Sequence, residues 1–232
     1  MRLIATALAL VLAAPALAAP PVRPAEDAAR DADRKPADML AFAKIAPGTV
    51  VADIIPGGGY FTRVFAAAVG DTGKVVAVIP PQARAAYAEP TKAIDAMAAA
   101  PGSNIVVVAT PADPAWLGKL DVAWTAQNYH DMHNGQTPEQ VMGFNKAVFA
   151  ELKSGGYYVI VDHAAPGTGL DATKTLHRID PATVKAEVVA AGFTFDGESS
   201  ALANPADPHT AIVFDPSVRG KTDQFAYRFR KP

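Results

Sequence analysis

Short apolar runs rich in β-branched residues alternate with segments of helical periodicity along most of this sequence. The runs, each typical of a buried strand, span residues 49–54, 74–79, 104–109, 120–125 and 156–161. Helices are predicted between them, over residues 36–46, 60–69, 91–100, 137–152 and 181–191. Strands that alternate with helices build a parallel sheet whose two faces are both covered.

The C-terminal part breaks this alternation. Three runs there are predicted to be strands without helices between them, over residues 193–198, 211–214 and 225–229. The sequence therefore predicts an α/β protein with a Rossmann-like, doubly wound, mostly parallel sheet and an antiparallel C-terminal edge. In such open sheets ligands bind at the carboxyl ends of the strands, so the residues at those ends are the candidates for function.

The N-terminus has the three parts of an export signal. Arg2 precedes an apolar stretch over residues 3–14, and a small-residue pattern ends at Ala18. We predict that residues 1–18 are a signal peptide and that the mature chain is periplasmic, with no stable membrane anchor. Residues 19–35 form an extension, a tether or a strap, and residues 36–232 form one domain.

Composition excludes several kinds of protein. The chain has no cysteine, which excludes disulfide scaffolds, thiol nucleophiles and cysteine-ligated metal sites. The formal net charge of −2 provides no basic field for nucleic acid, so no nucleic-acid partner is expected. The oligomeric state stays open.

The first predicted strand ends in an acid and a glycine cluster. Asp53 is followed by Gly57, Gly58 and Gly59, and glycines let a backbone approach a ligand closely. An acid at a strand end can bind hydroxyl groups or a cation. The pattern matches a dinucleotide fingerprint only in part, because Thr62 takes the place of the third glycine. A plain tight turn is the alternative.

Three of the five histidines follow the fourth and fifth predicted strands, namely His130, His133 and His163. Histidine can exchange protons near neutral pH, and with Asp131 and Asp162 it could also bind a metal. The structural alternative is that these histidines cap strand ends. His177 and His209 lie in predicted loops and carry less weight.

Several motifs together resemble those of class I S-adenosylmethionine-dependent methyltransferases, and more narrowly an exported branch of predicted methyltransferases. They lie at residues 34–36, 53–62, 128–133, 175–180, 204–208 and 214–223. The resemblance covers almost all of the chain after the signal peptide. It implies the class I methyltransferase fold and S-adenosylmethionine as the cofactor.

The resemblance also implies which residues bind the cofactor. The glycine loop would hold the methionine part, and Ile55 stands where the family has its first glycine. The family's acid after the second strand is absent, and glutamine takes its place. The implied cofactor-binding residues are Asp53, Gly57, Gly59, Gln82, Asp113 and Asn128.

Three hypotheses follow. The first is an exported methyltransferase with a small, unidentified acceptor, in which His130, Asp131 and His163 are catalytic and one histidine is the base. The second is a non-catalytic periplasmic binding protein on the same fold, favoured by Ile55 and the missing acid. The third, ranked below both, is a metal site built from His130, His133, Asp162 or His163.

Overall fold

The computed structural model describes residues 23–232. The predicted signal peptide and residues 19–22 of the predicted extension lie outside the described residues. Within the described range, seven strands form one sheet in the order β3-β2-β1-β4-β5-β7-β6. The strands are β1 (Val50–Ile54), β2 (Lys74–Val78), β3 (Ile105–Val108), β4 (Leu120–Ala126), β5 (Leu152–His163), β6 (Thr194–Ser199) and β7 (Gln224–Arg230).

Ten helical segments accompany the sheet within the same range. They are α1 (Ala25–Ala29), α2 (Asp31–Arg34), α3 (Pro36–Ala43), α4 (Tyr60–Val69), α5 (Pro81–Ala86), α6 (Ala88–Ala99), α7 (Tyr129–Met132), α8 (Pro138–Glu151), α9 (Thr173–Leu176) and α10 (Pro181–Ala190). The caps match the sequence signals. Thr137 and Gln140 form a capping box at the start of α8, and Asp180 caps α10 by accepting a hydrogen bond from the backbone of Ala182.

The predicted fold class is confirmed. Strands β1 to β5 pair in parallel, whereas β7 runs antiparallel between β5 and β6. The chain builds outward from β1 to β2 and β3, and then returns to place β4 on the other side of β1. The boundary between β1 and β4 is therefore the topological switch point, where open α/β sheets bind their ligands.

Alternate side chains of each inner strand enter two separate cores, because successive strand residues point to opposite faces. On one face, Val51 and Trp124 pack with Phe65 of α4 and Ile94 of α6. The rings of Phe65 and Trp124 meet edge to face at 5.4 Å between centroids. The second core joins the other faces of the same strands to residues of α8 and α10, including Val148 and Val184. Burial on both faces explains why the strands read as continuous apolar runs.

Two details of the prediction were wrong. Residues 211–214 form no strand, since Phe214 is 57% exposed and the backbone N–H of Val213 donates to the carbonyl of Leu176. Strand β7 already has β5 and β6 as its partners, so this short run does not pair with it. The short helices α1, α2, α5, α7 and α9 were not predicted. In the described part of the chain, no helix is both long and apolar enough to span a membrane.

Candidate functional site

A cavity of about 240 Å³ opens at the topological switch point. Its wall combines the loop after β1, the first turn of α4, the end of β4 and part of the N-terminal extension. The residues that line it include Arg30, Arg34, Asp53, Ile55, Gly57, Gly58, Tyr60, Phe61, Tyr87, Gln127 and Asn128. The cavity therefore lies where the sequence predicted a ligand site.

Asp53, the last but one residue of β1, is the buried acid of this cavity. Its carboxylate accepts a hydrogen bond from the hydroxyl of Thr62 at 2.7 Å, the one side-chain partner that residues 23–232 provide. Burial raises the pKa of Asp53 to about 7, although the Thr62 hydroxyl and the charge of Arg34 lower it. A carboxylate can accept about four hydrogen bonds, so Asp53 keeps acceptor positions for a ligand ammonium or hydroxyl group.

The loop after β1 begins with a strained residue. Ile55 has a φ of 53°, in the left-handed region that β-branched residues rarely adopt. The side-chain amide of Asn128 donates to the carbonyl oxygens of Ile55 and Ala126, both at 3.1 Å, and so ties this loop to the end of β4. Ile55 stands where the resemblance places a glycine, and the backbone there does adopt a glycine-like conformation. Asn128 therefore positions the loop, and its amide is already engaged.

The three glycines of the loop have different roles. A Cβ atom added at Gly57 or Gly58 would meet nothing within 4 Å, so their backbone faces open space in the cavity. A Cβ atom added at Gly59 would lie 3.0 Å from Met97 and 3.2 Å from Ile94. Gly57 and Gly58 can therefore approach a ligand, whereas Gly59 lets α4 pack closely against α6.

The N-terminal extension is a strap that forms part of the cavity. Its helices α1 and α2 are fixed to α4 by two carboxylates. Buried Asp27 accepts two hydrogen bonds from the guanidinium of Arg63, at 2.6 and 2.8 Å. Asp31 accepts one from the hydroxyl of Tyr60 at 2.6 Å. The described residues of the extension are therefore held against α4.

The strap brings two arginines to the cavity. The guanidinium of Arg34 lies over the rings of Tyr60 and Phe61, at 5.0 and 5.5 Å from their centroids, and donates to Gln127 at 2.6 Å. Burial, together with the charge of Arg30, lowers the pKa of Arg34 to about 10. No role was predicted for these two side chains, yet they supply the cationic groups that a ligand carboxylate would need.

A second polar cluster lies at the carboxyl ends of β4 and β5. Asp162, fully buried, accepts hydrogen bonds at 2.8 Å from the backbone N–H of His130, from its Nδ1 and from the backbone N–H of His163. Burial alone would raise the pKa of Asp162, but the interaction with His130 outweighs it and lowers the pKa of this carboxyl below its usual value. Asp162 is therefore a carboxylate that orients the imidazole of His130.

The two buried histidines of this cluster have opposite pKa shifts. Burial lowers the pKa of His130, but the neighbouring carboxylates of Asp162 and Asp131 raise it to about 10. Burial is also the main reason why the pKa of His163 falls to about 4. The Nδ1 of His163 lies 2.7 Å from the hydroxyl of Thr222, and its ring centroid is 6.0 Å from that of His130.

His177 joins this cluster, although its place in a predicted loop gave it little weight. It follows α9 in a left-handed conformation, with a φ of 53°. Its Nδ1 lies 3.3 Å from the Nε2 of His130 and 3.2 Å from the Oδ1 of Asp131. His133 points elsewhere, with its Nε2 3.2 Å from the carboxylate of Glu187. The sequence signal that points to His177 is its place in the motif at residues 175–180, one of those that carry the resemblance.

Gly59 does not line the cavity, and two other residues predicted to bind the cofactor lie away from it. Gln82 is exposed on α5 and does not line the wall. The backbone N–H of Asp113 donates at 3.1 Å to the carboxylate of Glu151, the residue that directly precedes β5. Asp113 therefore lies at the amino ends of the strands, opposite the cavity. After β3 the chain returns across the sheet to begin β4, and this return carries Asp113 away from the site.

Solved structures share this fold. A SAM-dependent methyltransferase from Aquifex aeolicus is 16% identical, with a TM-score of 0.60 over 87% of this chain and 92% of that one. The cyclase SpnF is 15% identical, with a TM-score of 0.58 over 86% of this chain and 80% of that one. A protein from Bordetella parapertussis described as a possible exported protein is 17% identical, with a TM-score of 0.52 over 88% of this chain and 68% of that one.

No family model matches the chain, and no curated protein matches its sequence. The fold, with its ligand cavity at the switch point, is that of the class I, Rossmann-like methyltransferases. At these levels of identity the likeness establishes the fold alone, because one fold hosts different reactions.

Proposed function

We propose that this chain is an S-adenosylmethionine-dependent methyltransferase that acts on a small acceptor. The observation that carries the proposal is the pairing of Asp53 with the open glycine loop, at the switch point of a methyltransferase fold. The buried carboxylate has acceptor positions to spare, and the backbone of Gly57 and Gly58 faces the cavity.

The cavity fits the amino-acid half of this cofactor by its chemistry. Asp53 would accept hydrogen bonds from the ammonium group, and the guanidinium groups of Arg30 and Arg34 would pair with the carboxylate. The rings of Phe61 and Tyr87 also line the wall and offer apolar faces to a nucleoside. When bound, the cofactor supplies an electrophilic methyl group, and the protein supplies position and proton handling.

The acceptor would lie between the cavity and the ends of β4 and β5. We assign the acceptor-facing roles to His130, Asp131 and His163. Asp162 holds the His130 imidazole in one orientation through its Nδ1, so this ring presents its Nε2 to whatever binds there. Orientation of this kind contributes to catalysis because a fixed group loses no rotational freedom when the substrate arrives.

The test is calorimetric titration of the protein with S-adenosylmethionine and with its demethylated product. We expect micromolar binding that Asp53→Ala abolishes. The matched control is Asp113→Asn, which removes a carboxylate at the opposite edge and leaves the affinity unchanged. Absence of binding at millimolar ligand would contradict the proposal, and so would equal losses in the two variants.

We also propose that the protein is exported and periplasmic. The support is the n-region, the apolar stretch and the small-residue pattern that ends at Ala18. Expression of the full chain in a cell with two membranes, followed by fractionation and mass measurement, tests this. A periplasmic product that begins at Ala19 is the expected result, and an uncut cytoplasmic chain would contradict it.

A non-catalytic binding protein is the second candidate function. The observations that favour it are the strained Ile55 and the absence of Gln82 and Asp113 from the cavity wall. In that case the two arginines of the strap would select a small carboxylate or phosphate. Titration with such anions, in parallel with S-adenosylmethionine, separates the two candidates, because binding of the anions alone would support the second one.

A further inference from the structure

We propose that His130, Asp131 and His177 form a binding site for a divalent transition-metal ion, and that Zn²⁺ is the first ion to test. The site involves two imidazoles and one carboxylate from three different positions of the chain. It differs from the metal set that the sequence indicated, because neither His133 nor His163 contributes a ligand atom.

The three ligand atoms form a nearly equilateral triangle. The Nε2 of His130 lies 3.3 Å from the Oδ1 of Asp131 and 3.3 Å from the Nδ1 of His177, and the last two atoms are 3.2 Å apart. With metal–ligand distances of about 2.1 Å, neighbouring ligand atoms are about 3.0 Å apart in octahedral and about 3.4 Å apart in tetrahedral coordination. The observed spacing lies between these limits, so one ion can contact all three atoms.

The hydrogen bonds of the cluster fix which nitrogen of His130 faces its centre. Asp162 is a carboxylate and can only accept, so the Nδ1 of His130 carries the proton that it shares with Asp162 at 2.8 Å. The Nε2 of the same ring therefore faces the Oδ1 of Asp131, 3.3 Å away. An ion bound here would displace the proton that these two atoms share, as metal binding to histidine generally does.

The surroundings of the cluster are those of metal-bound histidines. Such a histidine usually donates its other ring N–H to a carboxylate or carbonyl, which fixes its tautomer and orientation. The fully buried Asp162 gives His130 this partner. The Nδ1 of His177 is brought to the site by a left-handed backbone, and the ring is held edge to face against Phe214 at 5.0 Å between centroids.

The ligand types favour a transition metal over Mg²⁺ or Ca²⁺, because imidazole suits the former and all-oxygen sites suit the latter. The exposure of the ligands indicates an open site. The side chain of His130 is 3% exposed, whereas those of Asp131 and His177 are 36% and 29% exposed. Three protein ligands with access to solvent are typical of a site that also binds a small molecule.

The position of the site relates it to the cavity. Asn128, which lines the cavity, precedes His130 by two residues. The ion would therefore lie next to the cavity, where it would bind an oxygen or nitrogen donor of the acceptor. This role rests on the proposed methyl transfer, whereas the metal site itself does not.

The experiment uses the whole chain after the predicted signal peptide, residues 19–232, without a histidine tag. The protein is stripped with a chelator, dialysed, and titrated with Zn²⁺ in competition with a chromophoric chelator. Elemental analysis follows after gel filtration. We expect one equivalent of Zn²⁺ per chain and a rise in melting temperature with the ion, because an ion that binds the folded state stabilises it. Co²⁺ in place of Zn²⁺ provides a visible spectrum of the same site.

Two variants test the ligands without disturbing the core. His177→Ala and Asp131→Asn change partly exposed side chains, and each should weaken Zn²⁺ binding by about tenfold or more. The matched control is His209→Ala, which removes a histidine that pairs with Asp223 at 2.9 Å, outside the cluster. This control should bind one equivalent as tightly as the parent protein.

Two results would overturn the proposal. One is that the parent protein binds less than a tenth of an equivalent of every ion tested, namely Zn²⁺, Co²⁺, Mn²⁺, Fe²⁺ and Ni²⁺, at micromolar free metal. The other is unchanged Zn²⁺ affinity in His177→Ala and Asp131→Asn. Calorimetric binding of S-adenosylmethionine to the same variants is recorded separately, so that failure of the metal site and failure of the proposed function can be told apart.

Discussion

A buried acid with a raised pKa lies at each end of the parallel strands, which we call the carboxyl edge and the amino edge. Only one of the two acids lines a cavity. At the carboxyl edge, burial raises the pKa of Asp53 to about 7, and at the amino edge burial raises that of Glu151 to about 8. Glu151 accepts the backbone N–H of Asp113, within a return of the chain that closes the edge. Asp53 instead lines a cavity. A raised pKa therefore marks burial, and the cavity is what distinguishes the functional edge.

Glycines at the two edges show the same contrast. At Gly73, which precedes β2, an added Cβ atom would lie 2.4 Å from the Cβ of Val69 and 2.7 Å from two backbone oxygens. At Gly58 it would meet nothing within 4 Å. The chain fills the amino edge with its own atoms, whereas at the carboxyl edge it leaves room for another molecule. Four predictions test the difference between the two edges.

The largest expected effect is the pH dependence of stability that comes from Asp53. Its folded-state pKa of about 7 exceeds the ordinary 3.8, so the folded state binds the proton more tightly than the unfolded state. Stability from this group is present below pH ~4 and is lost as the pH rises to about 7. At about 1.4 kcal/mol per pKa unit, the loss is about 4 kcal/mol. Asp53→Asn should lack this loss in urea unfolding measured from pH 4 to 8.

A bound ligand makes this prediction specific to one edge. A ligand ammonium beside Asp53 favours the carboxylate, so saturating S-adenosylmethionine should remove the Asp53 contribution to the pH slope. The contribution of Glu151, measured with Glu151→Gln, should stay. If the ligand altered both slopes equally, or neither, the two edges would not differ in the way described.

The second prediction compares the two glycines. Gly73→Ala should destabilise the protein by about 3 kcal/mol, because the new methyl group would collide with backbone that cannot move away. Gly58→Ala should change the unfolding free energy by less than about 0.5 kcal/mol, as expected away from packed features. Denaturant unfolding measures both. Equal effects at the two positions would show that the glycine loop is packed as tightly as the amino edge.

The third prediction concerns the strained Ile55. Ile55→Ala and Ile55→Gly both remove the branched side chain, but only glycine adopts a φ of 53° without strain. The glycine variant should therefore be more stable than the alanine variant by about 1 kcal/mol. Thermal unfolding of the pair gives the difference. An alanine variant as stable as the glycine variant would contradict a left-handed residue 55.

The smallest effect is expected at an ion pair of the amino edge. Lys153 lies 2.6 Å from the Oδ1 of Asp121, but both side chains are partly exposed. Lys153→Ala should therefore cost less than about 1 kcal/mol. Asp121→Ala should cost about 1 kcal/mol more, because its Oδ2 also accepts the backbone N–H of Val50 at 2.9 Å. Urea unfolding at low and high salt measures the stability of both variants. A larger loss in Lys153→Ala than in Asp121→Ala would contradict this prediction.

The sequence predicted the fold well because its evidence was local and repeated. Each inner strand has its own apolar run, and the N-cap of α8 at Thr137 depends on residues next to it in the sequence. The glycine loop and the histidines that follow β4 and β5 were predicted correctly as residues at strand ends, because parallel strands share one carboxyl edge.

The rest depended on where loops go. Asp113 follows β3 in the sequence, but the loop turns back toward the amino edge and takes Asp113 with it. His177 reaches His130 only because a loop 47 residues further along the chain folds over the end of β4. The contribution of the strap to the cavity was not predicted for the same reason, since Arg30 and Arg34 reach the cavity through pairing of Asp27 and Asp31 with side chains of α4.

The strap and the C-terminal residue lie at opposite ends of the parallel strands, and this decides how the molecule can be handled. Arg23 packs over the ring of Tyr60, 5.2 Å from its centroid, beside the cavity. The carbonyl of Pro232 accepts a hydrogen bond from Ser154 at 2.9 Å, near the start of β5. A sensor chip or bead coupled through residue 232 therefore leaves the cavity facing the solution, whereas coupling through the strap would crowd its entrance.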